Sequence, residues 1–336
     1  MKHTKPRLDI SSFAEGIFAG DRVILGQAIT LIESNLESDQ PDAAALLEKV
    51  LPKTGRSLRI GVTGVPGVGK STFIESFGKY LVNNGKKLAV LTIDPSSPLT
   101  KGSILGDKTR MDELSKHPSA FVRPSSSATA TGGVAHKTRE AMLLCEAAGY
   151  DVIIIETLGV GQSEIAVSNM VDFFLLLMLA GAGDELQGMK KGIMEVADAL
   201  VITKADGNNL KNAVEAQGVF QQALHLFPVP ESGWHPTVLL SSAITGSGIE
   251  EIWNVITKHN EHTTSTGYLL KNRGRQNIAW FQDRFMQLLN IDLQQFGEIR
   301  NFQKKLEAEV SSSALSSQAA AKQLLDAYHD ALKRKS

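Results

Sequence analysis

A short apolar segment that runs directly into a glycine-rich loop constrains this chain more than any other feature. Residues 58–62 read LRIGV, residues 64–72 read GVPGVGKST, and residues 73–85 (FIESFGKYLVNNG) have helical spacing. The middle segment matches G-x-x-x-x-G-K-[ST], a phosphate-binding loop that joins a strand to a helix. Both flanking elements are present, as such a loop requires. The sequence therefore predicts an α/β fold built around a phosphate site.

The residues of this loop have separate predicted parts in holding phosphate. Three glycines let backbone N–H groups turn toward phosphate oxygens, and the N-terminus of the next helix adds a favourable dipole. Lys70 is predicted to reach the β- and γ-phosphates, and the Ser71 hydroxyl is predicted to ligate Mg²⁺. The predicted phosphate-binding residues are Gly64, Val65, Pro66, Gly67, Val68, Gly69, Lys70, Ser71 and Thr72.

Short apolar segments alternate with longer helical patterns between residues 57 and 256. Several of these segments are apolar on both faces, as strands between two layers of helices are. Such alternation predicts a doubly wound, mostly parallel sheet flanked by helices. The predicted strands are 58–62, 88–93, 120–122, 151–157, 172–180, 199–203 and 237–241.

Helical patterns without strands occupy both ends of the chain. Asp21 can cap an N-terminal helix, and apolar residues three or four apart recur after residue 265. About 70 residues of helix make a thin core alone, so we expect the C-terminal helices to pack on the main domain or on another chain. The sequence predicts an N-terminal helical extension (1–56), a P-loop domain (57–264) and a C-terminal helical arm (265–336).

The composition argues against several classes of partner. Lys and Arg number 35 against 36 for Asp and Glu, a formal net charge of −1, which removes the main argument for a nucleic-acid or anionic-membrane partner. The longest apolar run, 173–183, is shorter than the roughly 18 residues of a membrane span. Cys145 is the single cysteine, so no intrachain disulfide can form. We therefore expect a cytoplasmic protein that binds neither nucleic acid nor membranes.

Three acidic residues are candidates for the carboxylate that such a loop needs near its metal ion. Asp94 follows one predicted strand, and Asp107 lies in the loop GSILGDKTR. Glu156 ends another strand and opens E-T-L-G, which resembles the D-x-x-G motif of GTPases. In that motif Gly159 would offer its N–H to a γ-phosphate. Magnesium prefers such oxygen ligands, so we expect these carboxylates beside Ser71.

The segment T-K-A-D (203–206) predicts which base is read, because it resembles the N-K-x-D motif. A carboxylate at Asp206 can accept hydrogen bonds from the N1–H and amino groups of guanine, which adenine does not offer in that arrangement. Lys204 would cover the base, and Thr203, where asparagine is usual, is expected to lose an amide tie to the loop. S-S-A (241–243) fits a further base-contacting segment. The predicted base-side residues are Thr203, Lys204, Asp206, Ser242 and Ala243.

Taken together, several longer segments resemble one family, the bacterial MeaB/ArgK GTPases, which are akin to the human methylmalonic aciduria type A protein. The segments are GVTGVPGVGKSTF, IDPSSP, GSILGDKTRM and GDELQGMKKGIMEVAD, and the resemblance covers roughly residues 12–330. It implies a homodimeric GTPase that binds GTP, GDP and Mg²⁺. It also implies a chaperone that gates adenosylcobalamin loading and protects an acyl-CoA mutase, usually methylmalonyl-CoA mutase.

The resemblance also implies roles for particular residues. The catalytic and switch residues would be Lys70, Asp94, Asp107, Glu156 and Gly159, and the metal-binding residues Ser71, Asp94, Asp107 and Glu156. The segment 183–192 looks like the family's additional switch, which contacts the mutase through Asp184, Gln187, Lys190 and Lys191. The C-terminal helices look like its dimerisation arm.

Hydrolysis is expected to be slow without a partner. Val160 occupies the position after the motif glycine at which fast GTPases carry a glutamine that orients water.

Alternative functions remain open at this point. A metallochaperone GTPase would need clustered Cys or His ligands, and the chain has one Cys and eight scattered His. A nucleotide-dependent kinase of a transport system that uses ATP would not need the guanine-binding segment T-K-A-D. A scaffold that binds nucleotide without hydrolysing it is a further alternative.

Overall fold

The computed structural model describes residues 8–94, 111–126, 133–157, 163–181 and 191–335. The chain divides into two compact units, Met1–Arg273 and Gly274–Ser336. The described part of the first unit contains a seven-stranded sheet. Its strands are β1 (Leu58–Gly64), β2 (Leu88–Asp94), β3 (Ala120–Ser126), β4 (Val152–Thr157), β5 (Phe173–Leu179), β6 (Ala199–Thr203) and β7 (Thr237–Leu240).

The sheet has the order β3-β2-β4-β1-β5-β6-β7, and all six of its pairings are parallel. All seven predicted strands are confirmed, as is the parallel, doubly wound sheet. The inner strands β1, β4, β5 and β6 are buried along almost their whole length, which explains why their sequences are apolar on both faces. Ligands of such sheets bind outside the carboxyl ends of the strands, where the loops after β1, β4 and β6 begin.

Helices cover both faces of this sheet. In the first unit they are α1 (Ile10–Phe18), α2 (Arg22–Glu33), α3 (Gln40–Val50), α4 (Lys70–Asn83), α5 (Asp112–Lys116), α6 (Gly133–Ala147), α7 (Ser163–Ser168), α8 (Lys191–Glu195), α9 (Leu210–Leu224) and α10 (Ile249–Ser265). A hydrophobic core forms where α4 and α10 pack against the sheet through Phe73, Phe77 and Ile252. This packing fixes the helix that follows the glycine-rich loop.

Positively charged side chains attach the N-terminal helices to the sheet domain. The predicted cap of α2 is confirmed, since the Asp21 carboxylate accepts from the N–H groups of Val23 and Ile24 at 2.8 and 3.0 Å. At the other end of α2, Arg123 on β3 pairs with Glu33 at 2.7 Å. Lys137 on α6 donates to the carbonyls of residues 32 and 34, both at 2.7 Å.

A cluster of four charged side chains lies at the amino ends of the strands, opposite the loops. Arg59 on β1 pairs with Glu146 at 2.8 Å, and its N–H donates to Asp172 at 2.9 Å. Arg273 binds both oxygens of Asp172 at 2.6 and 2.7 Å, and donates to the carbonyls of residues 55 and 57. Burial by itself lowers the pKa of Arg273. The hydrogen bond and the negative charge of Asp172 raise that pKa by more than burial lowers it, so the net shift is upward.

The outer edge of the sheet at β7 is covered by side chains of α9. Val238 donates its N–H to Gln221 Oε1 at 3.0 Å and accepts from Gln217 Nε2 at 2.8 Å. Both main-chain groups of Val238 are therefore satisfied without a further strand.

The remaining helices are α11 (Tyr268–Gln295), α12 (Gly297–Ser311) and α13 (Ser317–Lys335). Within the second unit, α12 and α13 enclose a small core around Ile299 and Tyr328, and the Tyr328 hydroxyl donates to Asp292. One face of α11 stays exposed in the single chain and carries a row of large apolar side chains at intervals of three or four residues. These are Ile278, Phe281, Phe285 and Leu288, here called the α11 stripe.

Two findings bear on the expectations from composition. Cys145 is fully buried, and burial raises the pKa of its thiol well above the ordinary range. Across the described ranges, we find no helix with the length and apolar character needed to span a bilayer.

Candidate functional site

The glycine-rich loop leaves β1 through a backbone turn that other residues cannot make. Gly64 has φ +153°, and a Cβ there would lie 2.5 Å from the carbonyl oxygen of Leu177 on β5. Gly67 and Gly69 have φ +79° and +94°, a region that favours glycine. The loop 65–69 therefore closes tightly over the carboxyl end of β1 and delivers the chain into α4.

Lys70, the first residue of α4, points back under this loop. Its side chain is buried, and Nζ donates to the carbonyl of Gly64 at 2.7 Å and to that of Val65 at 3.3 Å. A cation held beside a glycine-rich turn and a helix N-terminus is chemically suited to an anion such as phosphate. Of the other predicted loop residues, Val68 is buried, and Pro66 and Thr72 are exposed.

A hydroxyl and a carboxylate meet beside this cation. The Ser71 hydroxyl donates to Glu156 Oε1 at 3.1 Å, and Glu156 is 1% exposed at the carboxyl end of β4. On the next residue of β4, the Thr157 hydroxyl donates to that of Thr63 on β1 at 2.7 Å. These bonds hold the predicted Ser71–Glu156 pair against the two central strands.

The donors at this place fit magnesium. They are oxygen atoms of one hydroxyl and one carboxylate, the ligand types that Mg²⁺ takes alongside water and phosphate oxygens. Among the described residues, no group of three or more His, Cys, Asp and Glu is arranged to hold a metal ion. An oxygen site completed by nucleotide and water would not require such a group.

Thr203 ties the end of β6 to the glycine-rich loop. Its hydroxyl lies 2.8 Å from the carbonyl of Val68 and 3.2 Å from that of Met178, and it is buried. The expected loss of an amide tie does not leave Thr203 without a link to the loop. The hydroxyl makes that link, because β6 brings it within reach of the Val68 carbonyl.

The next residues of T-K-A-D lie beside the same loop. Lys204 Nζ donates to the carbonyl of Gly67 at 2.9 Å. Asp206 accepts a hydrogen bond from the Ser242 hydroxyl, which in turn accepts from the N–H of Thr245 at 3.2 Å. The predicted base-side residues from the ends of β6 and β7 thus meet at one place.

A cavity of about 180 Å³ separates these base-side residues from α4. Its walls come from the glycine-rich loop, from α4 and from the segments after β6 and β7. The lining residues are Val68, Gly69, Thr72, Phe73, Thr203, Lys204, Asp206, Ser241, Ala243 and Ile244. The wall is largely apolar with a carboxylate at the rim, which suits a flat heterocycle with hydrogen-bond donors on one edge.

Several of the predicted site residues are not among those that the structure describes. Asp107, Gly159, Asp184, Gln187 and Lys190 fall outside the described residues. The backbone of Asp94 ends β2 and pairs with Ser126, and Lys191 begins α8, but the side chains of both lie outside the described part of the chain.

Sequence reasoning did not single out Phe73 and Ile244, which line the cavity, or Asn209, which contacts the turn after β6. Ile244, 84% exposed, lines the cavity directly after S-S-A. Asn209 donates its side-chain amide to the carbonyl of Lys204 at 2.8 Å. The position of Ile244 next to a recognised segment was an available signal, whereas an asparagine in a polar turn carries none.

Comparison with families places most of the chain in one group. The family model described as "Methylmalonyl Co-A mutase-associated GTPase MeaB" matches residues 25–295. The protein "GTPase ArgK" of Escherichia coli is 50% identical over 263 residues, 78% of this chain and 80% of that protein. The mouse protein "Methylmalonic aciduria type A homolog, mitochondrial" is 43% identical, over 93% of this chain and 78% of its own length.

A solved structure agrees with these matches in three dimensions. The chain of the "Crystal structure of LAO/AO transport system kinase" is 37% identical and superposes with a TM-score of 0.76. The match covers 95% of this chain and 97% of that one.

Proposed function

We propose, from the premise that this chain belongs to the MeaB family of GTPases, that its nucleotide state controls an adenosylcobalamin-dependent acyl-CoA mutase. The family match over residues 25–295 carries this proposal, because the family is described by its association with methylmalonyl-CoA mutase. The chain would act as a chaperone that gates cofactor loading and protects the mutase. We place this activity in the cytoplasm, in keeping with its single, buried cysteine.

The nucleotide is a guanine nucleotide, as for the family. We propose that residues 64–72 surround its phosphates, with Lys70 on the β- and γ-phosphates. The base would enter the cavity beside Lys204, with Asp206 accepting from its N1–H and amino groups and Ala243 beside it. The support is geometric: the end of the loop and Asp206 line one cavity, and the buried Lys70 lies under the same loop.

We propose that Mg²⁺ binds with the nucleotide beside Ser71 and Glu156, joined by Asp94 and Asp107. When bound, the ion supplies positive charge to the β- and γ-phosphate oxygens. The hydrogen bond between the Ser71 hydroxyl and Glu156 supports this placement, since both oxygens lie at the C-terminal edge of the sheet next to Lys70. Lys70 would hold the γ-phosphate oxygens, and the N–H of Gly159 would bond to them before hydrolysis.

The proposed control depends on loops that differ between GTP and GDP states. Segment 183–192, with Asp184, Gln187, Lys190 and Lys191, would contact the mutase in one nucleotide state. For nearly complete switching, the two states must differ in mutase affinity by about 5 kcal/mol. Slow intrinsic hydrolysis would then act as a timer that the mutase accelerates.

We further propose that the chain is a homodimer joined through the α11 stripe. Phe281 is 69% exposed and Phe285 is 52% exposed, and their rings stack at 6.4 Å. Soluble chains seldom leave a row of large apolar side chains open to water, and such rows mark interaction sites. A self-complementary contact across a two-fold axis would bury this one.

The decisive test measures GTP turnover with and without purified methylmalonyl-CoA mutase. The mutase should accelerate turnover by the unmodified protein, and Lys190→Ala should reduce that acceleration by about tenfold, as lost electrostatic positioning does. Lys211→Ala, an exposed lysine on α9, is the matched control and should respond like the unmodified protein.

Two results would contradict these proposals. If Lys190→Ala were accelerated as strongly as the control, segment 183–192 would not be the contact. If no acyl-CoA mutase changed turnover by the unmodified protein, the chaperone role itself would be wrong.

A second candidate function is phosphoryl transfer for a transport system. The observation in its favour is the name of the similar structure, a transport system kinase at 37% identity. ATP should be the better ligand under that function, whereas the Asp206 side of the cavity favours guanine. Calorimetric titration of the unmodified protein with GDP and ADP distinguishes the two.

A further inference from the structure

Lys204 has a backbone conformation that side chains disfavour. Its φ is +56°, and of the non-glycine residues in the described ranges only Lys204 and Ser313 have positive φ. Steric contact between Cβ and the backbone makes this region unfavourable for residues other than glycine. Such a conformation persists only where neighbouring groups hold it, and it is concentrated at functional sites.

Asn209 supplies contacts to both ends of the strained turn. Its side-chain Nδ2 donates to the carbonyl of Lys204 at 2.8 Å, and its backbone N–H donates to the carbonyl of Asp206 at 3.0 Å. The N–H of Ala205 donates to the backbone carbonyl of Ser241 at 3.0 Å, and this bond joins the turn to the end of β7. The side chain of Lys204 is tied to the loop separately, through Gly67.

Helix capping does not explain Asn209. It occupies the N-cap position of α9, where an asparagine side chain ordinarily accepts from N–H groups of the first helical turn. In this chain the Asn209 side chain makes no capping hydrogen bond with α9. Its amide is instead turned back, as a donor, to the carbonyl of the strained residue.

We infer that Asn209 is a positioning residue for guanine recognition, acting through the backbone of Lys204 and Asp206. The inference rests on the proposed function, in which these two residues face the base. The hydrogen bond to the Lys204 carbonyl keeps the turn in its left-handed conformation, and this sets the direction in which the Asp206 carboxylate faces the cavity. Asn209 itself is not among the residues that line the cavity.

The test compares the Asn209→Ala and Asn209→Asp variants with the unmodified protein, all as full-length chains. Alanine removes the amide, and aspartate keeps its shape but cannot donate to a carbonyl. Asn208→Asp, at the exposed neighbouring position, places the same charge beside the turn and is the matched control. Dissociation constants for GDP, IDP and ADP are measured by calorimetry, because IDP lacks the amino group that Asp206 would bind.

Both Asn209 variants should bind GDP about five- to tenfold more weakly, the size expected for one hydrogen bond. IDP should weaken less, so that the preference for GDP over IDP falls about threefold, and Asn208→Asp should match the unmodified protein. A purely structural role would weaken all three nucleotides equally, and that result would overturn the inference. The inference would also be overturned if both Asn209 variants bound GDP as tightly as the unmodified protein and the unmodified protein preferred GDP to ADP. If the unmodified protein showed no such preference, the proposed base site would fail, and this inference with it.

Discussion

At the scale of single residues, one hydroxyl helps to join the glycine-rich loop to the sheet. Thr203 is buried and offers a single proton to two carbonyls, Val68 at 2.8 Å and Met178 at 3.2 Å. The shorter bond reaches the residue just before Gly69 and Lys70. The loop is therefore held from β6 as well as from its own strand β1.

Thr203→Val should loosen this link, because valine has the same shape without the hydroxyl. We expect the free energy of unfolding to fall by about 1–3 kcal/mol, the cost of leaving a buried acceptor unsatisfied. GDP affinity should fall with it, since Val68 belongs to the loop. Urea unfolding and calorimetry measure the two effects. Thr203→Ser keeps the hydroxyl and should lose clearly less; equal losses in both variants would show that the methyl group, not the hydrogen bond, matters.

What could be predicted for single residues depended on whether a motif fixed their neighbours. Lys70 and Ser71 could be placed because the loop pattern specifies them relative to a strand and a helix. The link made by Thr203 could not, because its length depends on the separation of β6 from the loop. Asn209 could not be singled out either, since asparagine is common in any turn.

At the scale of elements, the structure joins the amino ends of two strands to the start of α11 through ion pairs. Arg273 and Asp172 are 101 residues apart in the chain, so no local pattern could reveal their contact. The strands themselves were predictable, because a strand covered by helices on both faces needs apolar residues along its whole length. Pairings between distant charges depend on the final packing of α6, β1 and β5.

Asp172→Ala should destabilise the protein strongly, because it leaves Arg273 and the N–H of Arg59 without their partner in a buried place. We expect a loss of about 3–5 kcal/mol in the free energy of unfolding. Glu231→Ala is the matched control, because Glu231 pairs with Lys271 at a similar 2.7 Å but both are exposed. That change should cost at most about 1 kcal/mol. Urea unfolding of both variants decides; similar losses would mean that burial does not set the strength of these pairs.

At the scale of the whole molecule, the α11 stripe is the feature that a single chain leaves unexplained. The spacing of Ile278, Phe281, Phe285 and Leu288 was visible in the sequence, but spacing alone does not say whether a stripe faces its own domain or another chain. All four side chains are exposed.

Replacing both Phe281 and Phe285 by aspartate should convert the proposed dimer to a monomer, because two charges cannot be buried in an apolar contact. Light scattering at tens of micromolar measures the mass, and GDP titration should show unchanged binding. Val214→Asp is the control, since Val214 on α9 is 51% exposed and Phe285 is 52% exposed. A double variant with the mass of the unmodified protein would exclude the stripe as the contact.

The pairing of Val238 with two glutamines has a consequence for how copies of this molecule can meet. An open strand at the margin of a sheet is a template on which an extended peptide from another molecule can align and start an aggregate. At Val238 the groups that such a peptide would need are already occupied by Gln217 and Gln221. At this position the β-sheet is closed to strand addition.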